Sequence, residues 1–129
     1  VAALIMKAHR AKAENSPQLV MWGTGKARRE LMYVDDLADA CVYMLNKPLA
    51  DQFVNVGTGQ DVSIAELIKL VCSVVGYDGE IVYDASKPDG MPQKLMDVTR
   101  AKEMGWTNKT KLNDGIKMTY DWYLKNILK

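Results

Sequence analysis

Apolar residues recur along the chain with two different periods, and each change of period marks an element boundary. Residues 2–14 carry a helical pattern that stops before "NSPQ". "LVMW" is a short apolar run that reads as a strand, "GTGK" as a turn, and "ELMYV" as a second strand. Asp35 and Asp36 then open a helix in which Leu37, Ala40, Cys41, Met44 and Leu45 recur at i, i+3, i+4, i+7 and i+8, with Pro48 to end it. "QFVNVG" predicts a third strand. The next helix has the strongest signal. Ser63 and Glu66 are spaced as a capping box, while Ile64, Leu67, Ile68, Val71, Cys72 and Val75 form one apolar face. Gly76 stands where a helix C-cap belongs. "EIVYD" reads as a fourth strand, "ASKPDGMPQ" as a loop, and "KLMDV" as a short paired strand. A brief helix over 99–104 stops at Gly105, and an amphipathic helix from 110 to about 128 closes the chain. Strands alternating with helices predict an α/β fold.

Composition narrows the function classes. The chain has 129 residues, 48% of them hydrophobic and 26% charged, with a formal net charge of +1. So small a charge argues against a broad nucleic-acid or membrane surface. No apolar run approaches the roughly 18 residues of a spanning helix. The opening "VAALIMKAHRAKAE" lacks a basic leader and breaks at Lys7, unlike a signal peptide. Val1 is not a methionine and no N-cap residue precedes the first helix, so residues 1–129 are read as one region of a longer polypeptide, truncated at its N-terminus. Cys41 and Cys72 lie in apolar helical patterns and are expected to be buried thiols of a cytoplasmic protein. His9 is the single histidine, and no Cys/His cluster has metal spacing.

Three stretches invite a chemical reading. "VNVGTGQDVSIAEL" runs from strand through Gly57-Thr58-Gly59 into helix, but Val62 stands where a dinucleotide fingerprint needs its third glycine. "WGTGK" lacks both the first glycine of a P-loop and the Ser/Thr after its lysine. Asp35-Asp36 has the spacing of a helix start, where carboxylates cap free N–H groups, rather than of a catalytic pair. Arg28 and Arg29 differ, because they follow two glycines and an aromatic in a loop between strands. A guanidinium fork there suits phosphate oxygens, and Trp22 offers a face to a base or sugar. The alternative is a solvated surface pair. "SKPDG" and Lys94 place further charge on a second loop.

The segments "GTGKARRELMYVDDLADACVYML", "NVGTGQDVSIAELIKLVCSVVGY", "IVYDASKPDGMPQKLMDVTRAKEMGW" and "TYDWYLKN" resemble the C-terminal part of the bacterial GDP-L-fucose synthase family, within the extended short-chain dehydrogenase/reductase superfamily. "REL-YVDDLADA" and "NVGTG" are generic to that superfamily, whereas "DASKPDGMPQKLMD" followed by "GW" is specific to the fucose synthase branch. The resemblance implies the substrate-binding part of a Rossmann-type fold, its cofactor domain lying outside the chain. It implies an NADP-dependent epimerase/reductase that converts GDP-4-keto-6-deoxy-D-mannose to GDP-L-fucose, or a related enzyme of another GDP-sugar such as a heptose. A homodimer is implied at full length. Catalytic and cofactor-binding residues of the family fall upstream of Val1; Tyr120 and Tyr123 are followed four places on by Leu124 and Ile127, not by the family's lysine. By motif position Lys7, Trp22, Arg29, Asp89 and Lys94 match substrate-contacting residues. Lys26-Ala27 departs from the usual Thr-Pro of the family.

Overall fold

The computed structural model describes residues 1–47 and 53–128. In chain order the elements are α1 (Ala2–Ala13), β1 (Gln18–Trp22), β2 (Arg28–Glu30), α2 (Val34–Leu45), β3 (Asp61–Ser63), α3 (Ile64–Val75), β4 (Glu80–Asp84), β5 (Gln93–Lys94), α4 (Thr99–Glu103) and α5 (Leu112–Asn126). The mixed α/β architecture matches the sequence pattern. β1 pairs in parallel with β4, from Gln18 opposite Glu80 to Trp22 opposite Asp84. A second sheet runs β3-β2-β5, with β2 antiparallel to β3 and parallel to β5.

Helix α3 organises the core. Its Ser63 side chain accepts from the Glu66 N–H while Glu66 reaches back to the Ser63 N–H, and Gly76 closes the helix with φ +74°. Leu67, Ile68, Val71, Cys72 and Val75 are all buried, as the periodicity requires. They pack with Ile5 and Ala8 of α1, Leu19 and Met21 of β1, and Ile116 and Tyr120 of α5. Two-residue alternation in β1 turns Leu19 and Met21 inward and leaves Val20 and Trp22 facing out. A smaller cluster joins Ala40, Ala101 and Trp106, whose indole N–H donates to Asp39 at 2.9 Å.

Four expectations are corrected. The second strand lies at 28–30 rather than over "ELMYV", because residues 31–33 leave the sheet and Val34 already begins α2. Residues 53–56 of "QFVNVG" form no strand; β3 begins only at Asp61, where a partner in β2 exists. The end assigned to Pro48 falls outside the described residues. The Asp35–Asp36 pair does not cap its own helix, whose N-cap Tyr33 has no side-chain bond. Asp36 is instead buried, accepting from the N–H of Lys109 (3.2 Å) and from the N–H and hydroxyl of Thr110 (2.8 and 3.0 Å). Finally, Cys41 is exposed, because only one line of α2, through Ala40, meets a neighbour. Cys72 is buried as expected.

Candidate anion and nucleotide site

Of the residues anticipated for ligand contact, Arg29 and Lys94 pair across β2 and β5, Asp89 bonds the turn that follows Trp22, and Lys7 lies apart on α1. Trp22 ends β1 with 72% of its surface exposed. An aromatic so open has no packing role in this chain. Lys87, from the loop after β4, holds its ammonium 6.0 Å from the Trp22 ring centre. Gly23 follows with φ +79°, and a Cβ there would collide with Asp89 Oδ1. The turn therefore needs glycine for both backbone shape and space.

Asp89 does not stand free. Oδ1 accepts from the Thr24 N–H at 2.8 Å and Oδ2 from the Thr24 hydroxyl at 2.5 Å. The Thr24 hydroxyl, then its N–H, hold the Asp89 carboxyl below its ordinary value. Thr24 is a residue that sequence reasoning missed; an exposed threonine in a glycine turn carries no periodic signal.

Arg28 and Arg29 part company because successive strand residues face opposite sides. Arg28 Nε bonds Asp61 Oδ1 at 2.8 Å and its Nη2 bonds the Asp61 carbonyl at 3.0 Å. Gln93 bonds the other Asp61 oxygen at 2.5 Å. Gln93 first and Arg28 after it keep the Asp61 carboxyl below the usual range. Arg29 pairs across the sheet with Lys94, so the two cations share a face. Its Nη1 donates to the carbonyls of Arg28 (2.6 Å) and Met91 (2.7 Å). Among the described residues no acceptor meets its Nε or Nη2. Arg29 also lines a cleft of about 760 Å³ with an apolar floor that includes Leu31, Val62, Leu112 and Ile116 and a polar rim of Thr58, Gln60 and Asn108. Lys7, on α1, donates to the Val20 carbonyl of β1 and lies apart from that cleft.

Glu30 is a second residue not anticipated. Its Oε1 accepts from the N–H groups of Thr58 and Gly59, both at 2.7 Å, and its Oε2 from the Met96 N–H at 2.9 Å. These are the donors that a dinucleotide-binding turn would aim at a pyrophosphate. Here the chain's own carboxylate fills the turn, so Gly57-Thr58-Gly59 does not fit a dinucleotide phosphate. Among the described residues no group of acidic, histidine and cysteine side chains could hold a metal ion, and no helix is long and apolar enough to cross a membrane.

Residues 1–57 match the model of the NAD dependent epimerase/dehydratase family. GDP-L-fucose synthase 1 of Arabidopsis thaliana is 50% identical over 125 residues, covering 97% of this chain and 39% of that protein. The similarity to the epimerase/dehydratase family model covers the first 57 residues of the chain. GDP-L-fucose synthase of Escherichia coli K12 is 42% identical, over 98% of this chain and 42% of that protein. A GDP-mannoheptose C4 reductase from Campylobacter jejuni, solved with NADP bound, superposes with a TM-score of 0.84 at 39% identity, over 95% of this chain and 44% of that one. The chain thus spans about two fifths of the length of the relatives it matches. The match lies in their C-terminal part.

Proposed function

We propose that residues 1–129 form the GDP-sugar-binding region of an NADP-dependent epimerase/reductase that converts GDP-4-keto-6-deoxy-D-mannose to GDP-L-fucose. The observation that carries this reading is the Arg29–Lys94 pair. Two cations share one sheet face, and one edge of the guanidinium is uncommitted beside a cleft. Such a fork matches diphosphate oxygens, and Trp22 gives a base an exposed ring to stack on. Lys7 adds positive charge behind β1, and Asp89 joins the site through its loop. NADP would be held by residues outside these 129, since the Gly57-Thr58-Gly59 turn is filled by Glu30. The same reading makes the protein cytoplasmic, bifunctional and dimeric at full length.

A second reading is favoured by one observation: the heptose reductase superposes on 95% of this chain at 39% identity. Under it, the same site would serve a GDP-keto-heptose. Calorimetric titration of the chain with GDP, UDP and inorganic phosphate tests the site itself. Binding of GDP that Arg29→Ala abolishes supports it, whereas no binding, or equal binding of phosphate alone, overturns it. NADPH oxidation by the longer polypeptide, with keto-deoxymannose and keto-heptose nucleotides compared, separates the two substrates. The 129-residue chain alone is expected to oxidise no NADPH.

A further inference from the structure

Both oxygens of Asp89 accept from Thr24, so the carboxylate ties the turn after Trp22 to the loop after β4. What the contact does is mechanical. Thr24 lies two residues after Trp22, and Asp89 lies two residues before Met91. The Met91 carbonyl is one of the two acceptors that hold Arg29 Nη1. Between them, Gly90 is so close to Arg29 that a Cβ there would stand 3.1 Å from Nη2. One residue further on, the Pro92 carbonyl accepts the Arg28 N–H at 2.7 Å, tying the same loop to β2.

We infer that the Thr24–Asp89 clasp is a positioning device that fixes the Arg29 guanidinium relative to the Trp22 ring, and that Asp89 is not itself a ligand of the nucleotide. The inference rests on the anion-site reading above for its purpose, but the geometry stands apart from it. A chain of contacts runs from Trp22 through Gly23 to Thr24, across to Asp89, along Gly90 to Met91, and across again to Arg29. Holding a stacking ring and a phosphate fork at one separation spares a ligand the cost of ordering two loops.

Substitutions at Thr24 separate the two roles, because Thr24 is exposed and valine has its shape. Thr24→Val removes the hydroxyl bond and should weaken GDP about tenfold, with Thr24→Ser restoring it. Asp89→Ala should lose as much. Asp89→Asn should recover most of the loss, since an amide offers one acceptor and one donor along the same two directions. A direct ligand role predicts the opposite order: Thr24→Val neutral, Asp89→Asn as poor as Asp89→Ala. That order would overturn the inference.

A second readout needs no nucleotide. In heteronuclear spectra of the whole free chain, Thr24→Val should shift or broaden the Arg29 Nε–Hε signal, although the two side chains are not in contact. The melting temperature should stay near that of the parent chain. An Arg29 signal unmoved by Thr24→Val rejects the clasp. A moved signal in a chain that binds no GDP keeps the clasp and rejects the anion site.

Discussion

Arg28 and Arg29 are adjacent in sequence and opposite in surroundings, so they should fail differently. Arg29→Ala in the longer polypeptide should weaken GDP-sugar binding by about ten- to a hundredfold, the roughly 1.5–3 kcal/mol of a charge-assisted bond. NADPH affinity should hardly change. Arg29→Lys should recover only part, since an ammonium lacks the planar fork. Arg28→Ala should leave affinity alone and lower the melting temperature, because Asp61 loses its guanidinium partner. Equal effects on substrate KM from both variants would reject the assignment. Part of this was legible in the sequence: the glycine turn with Trp22 suggested an anion site, but the pair was read as lying in a loop, and only its place in β2 turns the two side chains to opposite faces. The partners were not legible, because Asp61, Gln93 and Met91 lie 32 to 65 positions away and reach β2 only through the sheet. The cysteines repeat the lesson. Burial raises the Cys72 thiol above its ordinary value, so a thiol reagent should label it slowly. Cys41 is exposed and should be modified first; protection of Cys41 in the native chain would contradict its position on α2.

Helix α3 could be read almost completely from the sequence, since its cap, apolar face and stop all point to the same element. Ser63→Ala should cost about 0.5–2 kcal/mol in urea unfolding, the usual range for losing an N-cap. The same carboxylates set the acid limit. Glu66 is held below its ordinary value by the Ser63 N–H and then the Ser63 hydroxyl, and Asp97 by the Thr99 side chain and then its N–H. Their folded values lie beneath the unfolded ones. Their stabilisation is therefore complete above the unfolded values, near pH 4, and is lost as pH falls through the folded ones. A urea midpoint that is flat above about pH 5 and falls in acid would agree, and Ser63→Ala should flatten that fall. Short strands were harder to read. Three residues of β2 and of β3 are strands only because each finds the other, and no local pattern reports a partner 31 to 35 positions distant. The helical period in α2 was real, but a repeat of apolar residues does not say which of them meets a neighbour.

At the scale of the whole molecule, apolar surface remains uncovered on two helices: Val34, Val42 and Leu45 on α2, and Trp122 and Leu124 on α5. Patches of this kind favour association, so sedimentation of the 129-residue chain should depend on concentration. A single monomeric species across a hundredfold range would show the surface to be inert. Within the β3-β2-β5 sheet, Glu30 ties the segments that flank β3 and β5 to β2. Its carboxylate gathers the backbone of residues 58 and 59, which are 28 and 29 positions away, and of residue 96, which is 66 positions away. Closing loops of that length has an entropic cost before any contact rewards it. Such a junction ought to open as one event. Amide hydrogen exchange at Thr58, Gly59 and Met96 should then report a single opening free energy, shared among three segments that are strangers in sequence. Glu30→Ala should release all three together while the amides of α3 stay slow; three unrelated rates would mean that the carboxylate merely fills a gap.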